Sequence, residues 1–168
     1  MARFFSIICI TSLQSACFLH GCRVPNEVFT VIAKWLIVLV AVWNCGGFVV
    51  DALIPITAKQ HLHNPRWPPH AKFHNCQTMV IGILLGLITL WILFAMPLAF
   101  SRICLAAAVS GTYFVSMLFA PLFPGTAWHD PEFVDLDPMF LGMSAQKLVA
   151  LIVCTLLLCG CIFAYARR

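Results

Sequence analysis

Charged residues are scarce in this sequence. Only 10% of its 168 residues are Asp, Glu, Lys or Arg, whereas 62% are hydrophobic and the mean hydropathy is +0.97. A soluble domain carries about 25% charged and 45–50% apolar residues, and a domain of this size cannot hide such an apolar surplus from water. The composition therefore excludes a nucleic-acid-binding protein, a disulfide-stapled secreted module and a disordered regulator, and it indicates an integral membrane protein.

Several short motifs are missing as well. The nine cysteines form no C-x-x-C pair, so we interpret them as small buried hydrophobic residues. The sequence has no H-E-x-x-H motif, no Cys/His quartet and no N-x-S/T sequon that would mark a glycosylated lumenal loop. We therefore expect no cofactor, with one alternative given below.

Long, nearly uncharged runs are abundant. They predict an all-α integral membrane protein, a four-helix bundle with spans at about 28–50, 76–96, 103–120 and 144–165. Pro97 and Pro121 end the second and third spans, and the short connection between these spans predicts a tight antiparallel hairpin. Pro68-Pro69 is a natural helix entry, and Asp137-Pro138 predicts an earlier start for the fourth helix.

The N-terminal segment 1–27 has three interpretations. Arg3 followed by the apolar residues 4–10 is similar to the start of a signal peptide, but this apolar run has the minimum length for one. We favour an interfacial or loosely embedded segment over a cleaved signal, and a fifth helix is the third alternative. Residues 28–168 are predicted to form a single four-helix transmembrane domain.

Four spans place both chain ends on one side of the membrane. The loops 51–75 and 121–147 then share the other side, because each follows an odd-numbered span. Five or six basic residues lie on the side of the termini and four on the loop side, which weakly favours cytoplasmic termini. We expect a multi-pass protein of the endoplasmic reticulum in a eukaryote, and of the plasma membrane otherwise.

Residues capable of chemistry are concentrated on the loop side. Five of the six histidines and five of the six acidic residues lie there. His70, His74 and Gln77 fall on one face at the start of the second helix. Asp51 ends the first helix close to Gly46-Gly47, where the missing side chains permit close helix approach. Ionisable residues at this depth are candidates for a functional site.

These residues suggest acid/base chemistry on a small lipophilic molecule. An imidazole suits a base or proton shuttle, and a carboxylic acid held partly in lipid suits a proton donor. The candidate catalytic residues are His74, His70, Asp51, Asp130, Glu132 and Asp135. The candidate substrate-binding residues are Trp67, Trp128, Gln77 and Asn75. We expect one of the carboxylates near His70 or His74, beside an apolar pocket between helices one, two and four.

A metal site is the alternative for the same region. The spacings His61-x-His63 and His70-x3-His74 occur in zinc and copper sites, and His70, His74 and Asp51 would supply three ligands. The expected partners are the lipid bilayer and a small lipophilic substrate or ligand, with no nucleic acid. Gly82 and Gly86 form a small-xxx-small face for helix association, which would suit a homo-oligomer.

One stretch resembles a known family. Residues 64–79 read N-P-R-W-P-P-H-A-K-F-H-N-C-Q-T-M and, with G-G-F-V-V-D at 46–51, resemble small four-helix membrane proteins of unknown function from fungi and bacteria. Glycine is commoner in that family where Cys76 stands. The resemblance implies a membrane location and a four-helix fold, but no established reaction. In layout alone, the chain is similar to sterol-isomerase and sigma-2-receptor bundles and to fungal membrane terpene cyclases, a similarity that transfers no residue.

Two functional hypotheses follow. The leading one is a membrane enzyme that isomerises, cyclises or rearranges a terpenoid, sterol-like or polyketide intermediate of secondary-metabolite biosynthesis. The other is a non-catalytic membrane protein that binds a ligand or assists its transport. Four short helices leave little room for alternating-access transport by a single chain.

Overall fold

The computed structural model describes residues 26–136 and 139–166. The N-terminal segment predicted over 1–27 lies outside this part of the chain, apart from Asn26 and Glu27, which begin the first helix. The helices are α1 Asn26–Leu53, α2 Pro55–Gln60, α3 Pro69–Phe94, α4 Phe100–Phe119 and α5 Ala145–Ala166. Two 3₁₀ turns, Ala120–Leu122 and Pro131–Phe133, and the short strands β1 Met139–Phe140 and β2 Met143–Ser144 complete the described elements.

Four of these helices are long and apolar enough to cross a membrane. They are α1, α3, α4 and α5, with 20 to 28 residues each. At 1.5 Å per residue, the shortest is roughly 30 Å long, which matches the hydrocarbon core of a bilayer. The predicted all-α, four-helix, multi-pass membrane architecture is confirmed.

Proline and a short loop fix the boundaries of the middle helices. α3 begins at Pro69, earlier than the predicted start at 76, with Pro68 as its extended N-cap residue. Proline fits the first helical turn because its missing N–H has no partner to lose there. Residues 95–99 connect α3 to α4, and Arg102 Nη1 donates to the Pro97 carbonyl oxygen at 2.8 Å. The predicted tight hairpin is confirmed.

The approach to α5 differs from the expectation. The prediction that this helix begins near Asp137 is wrong, because β1 and β2 form an antiparallel hairpin ahead of it. Leu141 and Gly142 have φ of 52° and 74°, the two positive values that a two-residue type I′ turn requires. Ser144 then caps α5, since its Oγ accepts a hydrogen bond from the Lys147 backbone N–H at 3.3 Å.

The four spans form an up-and-down bundle. α1 and α4 each pack against both α3 and α5, and α1 also touches α4 across the bundle. Phe29 near the start of α1 stacks on Phe163 near the end of α5, with ring centroids 6.2 Å apart. The ring of Phe100, at the start of α4, lies 6.0 Å from that of Tyr165. Both ends of the described chain therefore lie at one end of the bundle.

Two glycines of α3 set the contact between α1 and α3. A Cβ built on Gly82 would lie 3.0 Å from the Asn44 carbonyl oxygen, and one on Gly86 would lie 2.6 Å from the Ala41 carbonyl oxygen. The small-xxx-small face is thus used inside the chain, and a second copy could reach it only by displacing α1. No atom of the described residues lies within 4 Å of such a Cβ on Gly46 or Gly47, so the expected close helix approach at these residues is wrong.

Single-cysteine labelling can check the topology. In sealed vesicles, with the native cysteines replaced, an impermeant maleimide should reach Gln60→Cys and Ala127→Cys from one side. Ala99→Cys in the α3–α4 connection should react from the other side, because one span separates it from each loop. Labelling of all three positions from the same side would contradict the four-span arrangement.

Candidate functional site

The two polar loops meet at one end of the bundle. The Arg66 guanidinium pairs with the Glu132 carboxylate, and Asn64 Nδ2 donates to Glu132 Oε1 at 3.4 Å. The Trp67 indole N–H donates to Asp130 Oδ2 at 3.2 Å. These three contacts join the loop after α1 to the loop after α4. The prediction that both loops share a face and converge is confirmed.

Asn64 organises the first of these loops. Asn64 is fully buried, and its Oδ1 accepts a hydrogen bond from the Arg66 backbone N–H at 2.9 Å. Asparagine favours this turn because its side chain can bond the backbone two residues further along the chain. The turn directs Arg66 and Trp67 toward their carboxylate partners on the second loop.

A cavity of about 190 Å³ lies between the two loops. Its lining is aromatic and polar, and it comprises Gln60, His61, Trp67, Ala127, Trp128, His129, Asp130, Phe133 and Gln146. Both tryptophans predicted to contact substrate are in its wall, and so is the predicted catalytic residue Asp130. Glu132 is next to the wall, where it pairs with Arg66.

Two histidines, His61 and His129, line this cavity, and the contacts of His61 suit it to act as a base. Its Nδ1 lies 2.8 Å from the Thr57 carbonyl oxygen, which can only accept a hydrogen bond, so Nδ1 carries the proton. A neutral ring of this tautomer keeps the lone pair on Nε2. Asp51 Oδ1 is 3.7 Å from Nδ1, and the His61 and Asp51 side chains are 17% and 21% exposed. The Thr57 carbonyl oxygen and the nearby carboxylate together fix the orientation of the imidazole ring.

The short helix α2 creates this arrangement. Pro55 occupies its first turn, directly after α1 ends. Thr57 Oγ1 donates to the carbonyl oxygens of Val50 and, at 3.2 Å, Ile54, which ties α2 back to the last turn of α1. His61 follows α2 and is thereby returned toward Asp51, which lies ten positions earlier in the chain.

His70 and His74 form a separate pair. Both are exposed at the start of α3, and their Nε2 atoms lie 3.1 Å apart. No described carboxylate oxygen lies within 4.0 Å of a ring nitrogen of either histidine, so the expected pairing with Asp51, Asp130, Glu132 or Asp135 is wrong. The carboxylates have nearer donors, because His61, Arg66 and Trp67 precede α3 in the loop that faces them. Gln77 Oε1 lies 3.1 Å from His74 Nδ1.

The remaining predicted residues lie apart from the loop cavity. Asp135 is exposed, beyond the second 3₁₀ turn. Asn75 is half-buried in α3, and its buried Oδ1 has no hydrogen-bond partner in the part of the chain that the structure describes. No group of three or more metal-ligating His, Cys, Asp or Glu side chains occurs in the described ranges. The alternative triad of His70, His74 and Asp51 therefore does not form, since Asp51 pairs with His61.

A second, smaller cavity of about 40 Å³ lies inside the bundle. It opens between α1, α3 and α4, which are the first, second and third spans, and Asp51 is in its wall. The expectation that the pocket beside Asp51 lies between the first, second and fourth spans is therefore wrong. Asn44 lines it and is 4% exposed. Its Nδ2 donates to the Ser110 carbonyl oxygen at 2.9 Å, whereas its Oδ1 has no partner among the described residues. The volume holds roughly two or three waters. Asp51 lies in the wall of this cavity and also 3.7 Å from His61, which lines the loop cavity.

Sequence reasoning placed the right segments together but missed several cavity residues. The spacing of His61 to His63 predicts a metal site and not a base, and no motif marks Gln60, His129 or Gln146. One available signal was Asp51, Thr57 and His61, which lie around the Pro55 helix start. The other was W-H-D at 128–130, which places three polar or aromatic side chains next to each other.

Comparison with known proteins gives a family but no activity. No curated protein and no solved structure is detectably similar to this chain. A family described as "Family of unknown function (DUF6640)" matches residues 37–168, which include α2, both polar loops and most of the bundle. The chain therefore belongs to this family of unknown function.

Proposed function

We propose that this protein is a membrane enzyme that performs acid/base chemistry on a small lipophilic molecule. The observation that carries the proposal is His61, which is oriented by the Thr57 carbonyl and by Asp51 and lies in the wall of the loop cavity. Charged side chains held at a membrane boundary are costly, and their arrangement around one cavity is typical of a functional site.

The proposed roles follow from the contacts. His61 Nε2 accepts a proton from the substrate and returns it to another atom, so an isomerisation or cyclisation balances without a cofactor. Asp51 stabilises the imidazolium that forms in between. Trp67 and Trp128 present aromatic surface to the substrate. Trp67 also holds the Asp130 carboxylate in place through its indole N–H.

The cavity volume narrows the substrate class. About 190 Å³ is below the roughly 300–1,000 Å³ of sites that enclose a drug-sized ligand. The proposal is therefore that the reacting, polar end of a terpenoid, sterol-like or polyketide intermediate enters the cavity while its apolar part stays in the bilayer. Such a substrate fits secondary metabolism, and the proposed compartment is the endoplasmic reticulum in a eukaryote and the plasma membrane otherwise.

Metabolite profiling of a deletion strain tests this proposal. Wild-type protein should restore the product, whereas His61→Asn should leave the intermediate of the deletion strain accumulated, because asparagine cannot take up the proton. His63→Asn is the matched control, since His63 is exposed and outside the cavity wall. Protein levels in the membrane fraction must be equal for the three strains.

The outcomes separate the two functional hypotheses. An intermediate that accumulates with His61→Asn but not with His63→Asn supports the enzyme. Unchanged products with altered export in the deletion strain would contradict the enzyme hypothesis and support the non-catalytic, ligand-binding or transport-assisting function. Full restoration by His61→Asn would remove His61 from the mechanism.

A further inference from the structure

The first two turns of α3 hold a histidine pair that the proposed reaction does not use. His70 and His74 are four residues apart, so they lie on the same side of the helix. Their ring centroids are 4.5 Å apart and their Nε2 atoms only 3.1 Å apart. The nitrogens are thus closer together than the rings, and the two Nε2 edges face each other.

Gln77 determines the tautomer of His74. Its Oε1, which accepts hydrogen bonds only, lies 3.1 Å from His74 Nδ1, so Nδ1 carries the proton and Nε2 keeps its lone pair. Histidines that bind metal ions almost always donate their other ring N–H to such a partner, which fixes the ring orientation. Gln77 supplies this support one turn further along α3.

Phe73 limits the motion of both rings. It stacks on His70 with an interplanar angle of 5°, and it contacts His74 edge-on at a centroid distance of 5.4 Å. The pair is therefore held by two side chains of the same helix, Phe73 and Gln77, and does not depend on a loop. Ligands positioned on a regular helix are more constrained than ligands on a flexible segment.

The nitrogen separation fits a shared metal ion. Two bonds of about 2.0–2.1 Å at an angle of about 90–110° place two nitrogens roughly 2.8–3.4 Å apart. The observed 3.1 Å lies in this interval. We infer that His70 and His74 chelate one divalent first-row transition-metal ion through their Nε2 atoms.

The chemistry of the site limits the choice of ion. Imidazole nitrogens favour Ni²⁺, Cu²⁺ and Zn²⁺ over Mg²⁺ and Ca²⁺, which require oxygen ligands. The described carboxylates of the loop side are more than 4.0 Å away, so the remaining coordination positions go to water. The ion lies on an exposed surface of the loop end of the bundle, apart from the wall of the loop cavity.

Calorimetric titration of the full-length protein in detergent with Ni²⁺ tests the inference. Ni²⁺ is redox-inert toward the cysteines, and the expected result is one Ni²⁺ bound per chain. His70→Ala and His74→Ala should each abolish this binding event, whereas His63→Ala should retain it, because His63 lies outside α3. Circular dichroism establishes that each exposed-site variant keeps its helices.

Gln77 variants test the geometry itself. Gln77→Leu should weaken Ni²⁺ binding about 10–100-fold, the usual effect of removing such a supporting hydrogen bond. Gln77→Glu retains an acceptor for His74 Nδ1 and should restore the affinity. Equal binding by wild type and His70→Ala would overturn the site, as would unchanged affinity in Gln77→Leu. The readout is binding alone, so the result does not depend on the proposed enzyme activity.

Discussion

Replacing Gly86 by valine is expected to destabilise the bundle strongly. A Cβ at this position would lie 2.6 Å from the Ala41 carbonyl oxygen and 2.5 Å from Cys45 Sγ. The cysteine side chain can rotate, but the carbonyl belongs to the backbone of α1, so the two helices must separate. Overpacking of this kind costs about 1–3 kcal/mol of unfolding free energy, and close backbone packing is a main source of helix association in membranes.

Unfolding by sodium dodecyl sulfate in mixed micelles, followed by circular dichroism, measures this effect. Gly46→Val is the matched control, since it adds the same side chain to a glycine with nothing within 4 Å of its Cβ. We expect Gly46→Val to change the unfolding free energy by less than about 0.5 kcal/mol. Equal stability of the two variants would show that the close contact between α1 and α3 is not made at Gly86.

The membrane spans were predictable because the bilayer leaves the chain little choice. A spanning segment must bond all its backbone groups internally and be about 20 residues long, so an apolar run of that length has one outcome. The shared side of the two polar loops then followed from counting spans. By contrast, β1, β2 and α2 are two to six residues long. Such short elements depend on single turns, such as Leu141-Gly142.

The pairing within the site could not be predicted from the sequence. Five histidines and five acidic residues on one side allow many combinations, and helical spacing favoured His70 and His74. That same spacing brings these two rings to each other and not to a carboxylate. The contact of His61 with Asp51 depends on α2, a six-residue helix that is too short to give a hydrophobic pattern in the sequence.

The helix that packs against the glycine pair could not be predicted from the sequence either. Gly82 and Gly86 predicted a helix contact, but a small-xxx-small face is equally suited to a neighbouring helix of the same chain or of a second copy. In the structure, the helix that packs against both glycines is α1 of the same chain. Because α1 and α3 are connected within one chain, the effective concentration of α1 near α3 is high, which favours the intramolecular contact.

The kinetic coupling of Asp51 and His61 provides the sharpest test of the proposed mechanism. His61→Asn should lower the turnover rate about 10²–10⁴-fold, as expected for the loss of a general base. Asp51→Asn keeps the shape of the side chain but removes the charge 3.7 Å from Nδ1. Opposite charges at this distance interact by about 4 kcal/mol near a protein surface, and partial exposure screens part of it. We expect a loss of about 10–100-fold, since each tenfold is about 1.4 kcal/mol.

The double variant distinguishes a positioning role of Asp51 from a structural one. Because Asp51 acts through His61, Asp51→Asn combined with His61→Asn should be no slower than His61→Asn alone.

The assay follows conversion of the intermediate that accumulates in the deletion strain, in membranes with equal protein content. In Asp51→Asn, KM should change little, because Asp51 lies outside the wall of the loop cavity in which the substrate is proposed to bind. Asp135→Asn is the control for removal of a negative charge from the same side, and it should leave the rate unchanged, since Asp135 is exposed. If the losses of the two single variants multiply in the double variant, Asp51 acts independently of His61, and the two residues do not act as one unit in the proposed reaction.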